Sequence, residues 1–345
     1  MAAGWAGQPQ WRILETRFGD GLRFLAAWRA WLDDPQRPRL LHFVALADGP
    51  PPLDEVLRAG ARGPELQPLV QAFANEAYGL LPGVHRLVFE SGHVLLTLCI
   101  GEPGKMLRQL DFHADAVSLH AGQADTLNLK ALARCCRRGT RITLDDASGA
   151  LRPALGRHGF RFDDPATPAG RSRGEFAPSW EPRGAHPAGD VVAGDCIVIG
   201  AGLAGAAAAA SMARRGWKVQ VLDAAQAACG ASGLPAGLLV PHTSPDDNLL
   251  SRLSRDGVRA TLQQARALLQ PGHDWEASGV LEHHVDGAPA ASRLPADPAA
   301  AVWSRPADAT QKHLAGLEAG AAADWHEKAA WIRPARLVQA WLDRP

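Results

Sequence analysis

One segment in the second half of the chain, from Asp195 to Asp223, constrains the fold more than any other feature. Its letters, DCIVIGAGLAG, an alanine-rich run and WKVQVLD, predict a strand, a glycine turn, a helix and a second strand that ends in an acid. A turn of this kind holds a pyrophosphate against the free N–H groups of a helix N-terminus. The segment therefore predicts a parallel α/β fold with a dinucleotide site.

Three glycines and one acid of this segment have separate predicted roles. Gly200 permits the sharp turn out of the strand, Gly202 lets backbone approach the pyrophosphate, and Gly205 lets the helix pack closely on the sheet. Asp223 is placed to accept hydrogen bonds from a ribose diol, and its charge disfavours the 2′-phosphate of NADP. A glycine turn without a ligand is the alternative, which the agreement of all these features disfavours.

Composition narrows the class of protein further. A chain of 345 residues, 46% hydrophobic and 21% charged, is long enough for two domains with full cores. Lys+Arg and Asp+Glu balance at 36 each, which argues against global charge as the means of holding nucleic acid or membrane. Without a signal peptide or an apolar stretch of spanning length, we expect a cytoplasmic protein with no membrane contact. The five cysteines lack zinc-site spacing, so we expect no metal.

Arginines between residues 134 and 173 depart from this charge balance. Nine arginines stand there against four acids. A solvated surface explains the excess, and so does a patch that contacts phosphate groups. Both interpretations stay open at the level of the sequence.

A stretch rich in Pro and Gly, residues 164–190, predicts a linker because it has no apolar periodicity. It separates residues 1–163 from residues 191–345, which contain the glycine segment. The sequence thus predicts two α/β domains joined by an irregular connection.

The first half repeats the order of strand, glycine turn and helix. A strand-like run at 11–17 leads into the letters FGDG at 18–21, and an amphipathic helix follows at 22–32. This order predicts a second nucleotide-type crevice, with only two glycines in its turn. Further expected elements are strands at 40–46, on both sides of Ser91-Gly92, at 114–119 and at 140–144, and a helix at 127–136.

Together these pieces resemble the MnmC family, the bifunctional tRNA 5-methylaminomethyl-2-thiouridine biosynthesis proteins. The matching letters are FGDGLRFLAAWRAW, LLPGVHRLVFESGHVLLTL and RITLDDASGALRPALGRHGF in the first half, and the glycine segment, GASGLPAGLLVPHTSPDDNLLSRL and AAWIRPARLVQAWL in the second. The resemblance implies a Rossmann-like methyltransferase-type domain followed by an incomplete FAD-binding Rossmann domain of the D-amino-acid-oxidase-like class.

The resemblance also implies a function, modification of the wobble uridine in a tRNA anticodon. The FAD half would remove the carboxymethyl group of 5-carboxymethylaminomethyl-(2-thio)uridine by oxidation, and the other half would methylate the freed aminomethyl group with S-adenosylmethionine. FAD, S-adenosylmethionine and tRNA are the implied cofactors and partner, and the oligomeric state is left open. Two alternatives remain: a general FAD-dependent amine or amino-acid oxidase, and a non-catalytic remnant that binds nucleotide or tRNA.

Site residues follow from the resemblance, position by position. For FAD they are Gly200, Gly202, Gly205, Asp223, Gly230, Ala231, Ser232 and Gly233, and for S-adenosylmethionine they are Gly19, Gly21 and Asp48. No catalytic residue is assigned.

The first half departs from the family pattern at its glycine turn and beyond. Arg17 replaces a glycine, Arg23 replaces an asparagine, and Asp48 falls one position late. His120 stands where the family carries an Asp, and a histidine there needs a compensating acceptor nearby. We therefore expect this half to fold and to methylate poorly or not at all. The chain stops at Pro345, before the family's last cofactor-domain strands, which indicates a fragment or a decayed gene.

Overall fold

The computed structural model describes residues 4–60, 63–120, 127–145, 151–163, 171–181, 192–285, 294 and 297–343. The chain forms two compact units. The first comprises residues 1–77 and 82–192, and the second comprises Tyr78–Leu81 and residues 193–345.

The first unit is a mixed α/β unit with eight strands and six α-helices in its described part. The strands are β1 Gln10–Glu15, β2 Leu40–Ala47, β3 Gly83–Phe89, β4 Val94–Ile100, β5 Ala114–His120, β6 Cys136–Asp145, β7 Phe160–Phe162 and β8 Arg171–Phe176. The helices are α1 Leu22–Asp33, α2 Leu53–Gly60, α3 Gln67–Glu76, α4 Pro103–Gln109, α5 Leu129–Arg134 and α6 Leu151–Arg157, with 3₁₀ turns at Pro64–Leu66 and Glu90–Gly92.

All eight strands join one sheet in the order β3-β4-β2-β1-β5-β6-β8-β7. Strands β4, β2, β1, β5 and β6 are parallel, whereas β3 and β8 run antiparallel to the strands beside them. The chain builds β2 and β4 on one side of β1 and then returns to place β5 on the other side. Ligands of open α/β sheets bind at such a reversal, outside the carboxyl ends of the strands. The carboxyl ends of β1, β5 and β6 therefore define the crevice of this unit.

Helix α1 covers one face of this sheet with aromatic side chains. Phe24 packs edge-on against Phe43 of β2 at 5.4 Å, and Trp28 lies 4.5 Å from Phe89, measured between ring centroids. Both side chains are buried because they recur at helical spacing on one side of α1. This packing fixes the start of α1 beside the crevice.

Most of the expected elements of the first unit are confirmed, and two expectations are wrong. The predicted linker contains β8, which pairs with β6 and buries Phe176. Its prolines flank this strand and do not interrupt it, so the ladder of hydrogen bonds forms. Two further parts of that linker, 164–170 and 182–190, lie outside the described residues. Helix α5 is shorter than expected, and its predicted last residue, Cys136, already begins β6.

The second unit contains the glycine segment and three small sheets in its described part. Its elements are β9 Asp195–Ile199, α7 Leu203–Arg214, β10 Lys218–Leu222, β11 Gly237–Leu239, α8 Leu249–Leu268, β12 Trp275–Glu276, β13 Val280–His283, α9 Pro298–Ala301, β14 Arg305–Pro306, α10 Ala309–Leu314, β15 Ala323–His326, β16 Ala330–Ile332 and α11 Pro334–Leu342. The sheets are β10-β9, β11-β16-β12 and β13-β15-β14.

Strands β9 and β10 form a parallel pair that is covered on one face. Helix α7 follows β9, and its buried Ala206 packs on Val338 of α11. On the opposite face Ile199 is 87% exposed and Ile197 is 62% exposed. The predicted strand, glycine turn, helix and strand are thus confirmed, on a sheet of only two described strands.

Residues Tyr78–Leu81 pack inside the second unit although they come early in the chain. The indole N–H of the buried Trp303 donates to the carbonyl of Gly79 at 2.6 Å. The guanidinium of Arg259 lies 5.2 Å from the ring centroids of both Tyr78 and Trp303, which is cation–π distance. No helix in the described part of the chain is long and apolar enough to cross a membrane.

Candidate functional site

The glycine turn of the second unit adopts the backbone that its sequence predicts. Gly200 has a φ of 99°, a conformation that side chains rarely permit, and its N–H donates to the carbonyl of Leu222 at 2.7 Å. A Cβ on Gly205 would lie 1.8 Å from the carbonyl oxygen of Gly200. Helix α7 therefore lies on the turn at a distance that only glycine allows.

Asp223 is held at the end of β10 by backbone donors. Its Oδ2 accepts from the N–H of Ala201 at 2.7 Å, and its Oδ1 accepts from the N–H of Ala225 at 3.0 Å. These two hydrogen bonds, Ala201 first, lower the pKa of Asp223 below its usual range. The carboxylate is ionised and exposed, and each oxygen has a second lone pair for a ribose hydroxyl.

A second loop, Gly230 to Gly233, lies against the glycine turn. Ser232 Oγ accepts from the N–H of Leu203 at 3.0 Å, and a Cβ on Gly202 would lie 3.1 Å from the same oxygen. The structure thus brings together two sets of residues that the sequence placed at one cofactor.

These contacts fit a dinucleotide. Gly202 precedes α7 and brings no side-chain cap, so the helix begins with backbone N–H donors, of which Leu203 already has an acceptor in Ser232. With no Cβ, Gly202 leaves backbone open to a phosphate. Asp223 follows the second strand of the motif, which is the position from which an acid binds a ribose in dinucleotide sites of this kind.

The crevice of the first unit is built differently. Gly19 and Gly21 form the turn between β1 and α1, both with positive φ, and Asp48 is exposed just after β2. Arg23 lies in the first turn of α1, and its guanidinium donates to Ser118 Oγ at 2.5 Å and to the carboxylate of Asp145. An arginine therefore lies across the carboxyl ends of β5 and β6.

Asp145 is shared between two arginines. Its Oδ1 accepts from Arg171 Nε at 2.9 Å, and its Oδ2 accepts from Arg23. Burial alone would raise the pKa of Asp145, but the hydrogen bonds and charges of Arg171 and Arg23 outweigh it, so the pKa is lowered. Asp145 is therefore ionised at neutral pH.

His120 has the acceptor that its position requires. Its Nε2 lies 2.7 Å from Oε1 of Glu15, a carboxylate with 1% of its side chain exposed. The carboxylate orients the imidazole, so an acidic partner is present although the family's Asp is replaced. Ala121 and Gly122, which follow His120, lie outside the described residues.

The crevice does not fit S-adenosylmethionine as it stands. That donor carries positive charge on its sulfonium and its α-ammonium group, and a guanidinium already occupies the acidic end of the crevice. Arg23 pairs with Asp145 and lies 3.8 Å from Glu15 Oε2. The positive charge of Arg23 disfavours a second cation beside the same acids.

A cavity of about 620 Å³ opens on the same sheet. Its charged and hydroxyl-bearing lining consists of Arg23, Arg141, Arg171, Arg173, Asp163, Glu175 and Thr143. Cross-strand pairing of β6 and β8 places Thr143 opposite Arg173, so their side chains share one face. Three of the nine arginines in the predicted cluster thus line one concave surface.

Sequence reasoning missed Glu15, Ser118 and Asp145 as members of the first crevice. Glu15 had a visible signal, since it is an acid at the end of an otherwise apolar buried strand. Ser118 and Asp145 had none, because their partner Arg23 lies 95 and 122 residues away along the chain.

Similarity to known proteins agrees with an FAD site in the second unit. A family model described as FAD dependent oxidoreductase matches residues 195–344, so the second unit belongs to the class of FAD-dependent oxidoreductases. Relatives named tRNA 5-methylaminomethyl-2-thiouridine biosynthesis bifunctional protein MnmC match the chain throughout: it is 54% identical to that of Polaromonas sp. (strain JS666 / ATCC BAA-500) over 100% of the chain and 57% of the relative. The one from Paracidovorax citrulli is 54% identical with the same coverage. The chain belongs to the MnmC family.

The chain spans little more than half the length of these relatives. The crystal structure of MNMC2 from Aquifex aeolicus overlaps 51% of this chain and 57% of its own at 16% identity and a TM-score of 0.36.

Proposed function

We propose that the second unit is the FAD-dependent oxidoreductase part of an enzyme that modifies the wobble uridine of tRNA. The hydrogen bond from Leu203 to Ser232 carries this proposal. It joins the glycine turn to the loop from Gly230 to Gly233, and so extends the site past the pyrophosphate, as FAD requires and NAD does not. The names of the relatives, which refer to biosynthesis of 5-methylaminomethyl-2-thiouridine in tRNA, support a tRNA uridine as the substrate. The group that we propose is oxidised is a 5-carboxymethylaminomethyl group on (2-thio)uridine.

The proposed reaction is oxidation of the side-chain amine and hydrolysis of the product. FAD, held by the start of α7 and by Asp223, would supply the two-electron acceptor for a hydride from the methylene between nitrogen and carboxylate. The nitrogen loses its proton as the C=N bond forms, and water then splits the imine into aminomethyluridine and glyoxylate. In this scheme the start of α7 binds the pyrophosphate and Asp223 orients the ribose.

The test begins with the cofactor. Purified chain is denatured and the released nucleotide is identified; FAD supports the proposal, and NAD without flavin contradicts it. The flavin-loaded chain is then incubated with tRNA that carries carboxymethylaminomethyluridine, and nucleosides are measured by mass spectrometry. Aminomethyluridine is the expected product. Flavin reduction by free glycine or sarcosine without tRNA would instead indicate a general amine oxidase.

For the RNA partner, we propose that the arginine-lined cavity of the first unit contacts phosphates. Arg173 is exposed and lies opposite Thr143 in the pairing of β6 and β8. Arg173→Gln is expected to weaken tRNA binding and to lower the slope of log affinity against log salt by about 1. Arg58→Gln, on the exposed side of α2, is the control. An unchanged slope in Arg173→Gln would refute this contact without touching the flavin proposal.

Methyl transfer is not part of the proposed function, because the first crevice does not fit the donor. We propose that the chain produces no methylaminomethyluridine from aminomethyluridine when S-adenosylmethionine is supplied. Nucleoside mass spectrometry tests this directly, and a clear methylated peak would contradict it.

A further inference from the structure

The crevice of the first unit holds a buried carboxylate oxygen that nothing satisfies. Glu15 Oε1 pairs with His120, whereas Oε2 is buried and has no hydrogen-bond donor in the described part of the chain. Buried polar atoms in folded proteins nearly always have a partner, so each exception points to a missing donor. A carboxylate calls for a cationic one.

Arg23 covers this oxygen without satisfying it. Its Nε lies 3.8 Å from Glu15 Oε2, which is too far for a hydrogen bond. Its terminal nitrogens are used by Ser118 and Asp145. The guanidinium therefore balances the charge of Glu15 while it is held by two other acceptors.

We propose that Glu15, Ser118 and Asp145 form a cation-binding well at the carboxyl ends of β1, β5 and β6, and that Arg23 fills this well as a built-in cation. The ligand class is a small organic cation, a guanidinium or an alkylammonium ion. Such an ion donates to all three acceptors at once, which Arg23 cannot do from its fixed backbone. The other charged groups at the well are His120 on Glu15 and Arg171 on Asp145.

Occupation of the well by Arg23 explains why the crevice does not bind S-adenosylmethionine. Any cationic ligand must first displace Arg23 from its hydrogen bond to Ser118 and from its hydrogen-bonded ion pair with Asp145, and the freed guanidinium then repels it. The inference concerns the first unit alone and does not depend on flavin chemistry in the second.

The test removes the Arg23 side chain from the full chain and adds a small cation that can take its place. In Arg23→Ala the well loses its occupant, and millimolar methylguanidinium is expected to raise the melting temperature saturably, by about 2–4 °C over the same concentration of sodium chloride. Wild type gains nothing, because Arg23 is in place. Arg29→Ala, which removes another arginine of α1, one that pairs with Asp33 on the same helix, also gains nothing.

Two further measurements keep the inference open to refutation. If Arg23→Ala does not fold, Arg23→Gln leaves a neutral side chain in the well and is expected to show the same saturable rise. Equilibrium dialysis of wild type with S-adenosylmethionine is expected to show no saturable binding at micromolar concentration. Equal methylguanidinium effects in wild type and variant, no effect in any variant, or micromolar binding of the methyl donor to wild type would each overturn the proposal.

Discussion

In the first unit the strand before the glycine turn lies in the middle of an eight-stranded sheet, and in the second it belongs to a pair. The residues after the two turns differ as well. Leu203 uses its backbone N–H to bind Ser232 of the second loop, whereas Arg23 extends a charged side chain into the first crevice. The same local motif therefore leaves the cofactor site of the second unit open. In the first unit the side chain of Arg23 fills the crevice. A glycine turn establishes the backbone, and its neighbours decide what binds.

The largest expected difference between the two units is in the reactivity of their cysteine thiols. In the first unit burial raises the pKa of Cys99 to about 12 and that of Cys135 to about 11. Cys229 of the second unit is exposed. Since the thiolate is the reacting form, we expect the first-unit thiols to react at least about 10²-fold more slowly at pH 8. Alkylation followed by peptide mass spectrometry measures this, and rapid native labelling of Cys99 would contradict the description of a closed core.

Two isoleucines, one in each sheet, compare how much burial in that sheet contributes to the free energy of unfolding. Ile142 of β6 is 1% exposed and Ile199 of β9 is 87% exposed. We expect Ile142→Ala to lower the free energy of unfolding by about 2–5 kcal/mol, because it leaves a cavity in a full core. Ile199→Ala should change it by less than about 0.5 kcal/mol. Thermal unfolding followed by circular dichroism distinguishes them, and equal losses would mean that the β9 face is covered.

Two glycines of the second unit test how closely α7 must lie on the glycine turn for FAD to bind. A Cβ on Gly205 meets the Gly200 carbonyl, whereas a Cβ on Gly257 of α8 meets nothing. Overpacking costs about 1–3 kcal/mol, so Gly205→Ala should weaken FAD binding about 5- to 150-fold. Gly257→Ala should leave it unchanged. Flavin fluorescence titration provides the affinities, and wild-type affinity in Gly205→Ala would refute the close approach.

The smallest expected effect is on acid stability. Asp145 in the first unit and Asp223 in the second both have a lowered pKa. A carboxyl with a lower pKa in the folded state binds fewer protons there, so its contribution is full above its ordinary pKa and disappears as pH falls through the folded value. Asp145→Asn should flatten the decline of stability below about pH 4, and Asp223→Asn should do so less, because Asp223 is exposed. Denaturant midpoints across this range test both.

Local signals made part of this structure predictable from sequence. The second-unit motif was readable because strand, turn, helix and acid follow one another within 30 residues, and each has its own residue preference. Helix α1 was readable from its apolar spacing. In both cases the information lies in neighbouring letters.

Contacts between distant residues were not predictable. The sequence shows that Arg23 departs from the family pattern. Its pairing with Asp145 depends on the sheet order that brings β1, β5 and β6 together, and the sequence does not show that order. Strand β8 was hidden because the letters RSRGEF carry only one large apolar residue and stand among prolines. Its place in the sheet comes from pairing with β6, which no local pattern records.

Tyr78 gives the molecule an optical property. It is the chain's single tyrosine, and its ring lies 5.5 Å from the indole of Trp303. At that separation an excited phenol passes its energy to the indole before it emits. The folded chain should therefore emit only as tryptophan when excited in the tyrosine band. A tyrosine shoulder would appear when Tyr78–Leu81 leaves the second unit, so one residue reports the docking of that segment without any label.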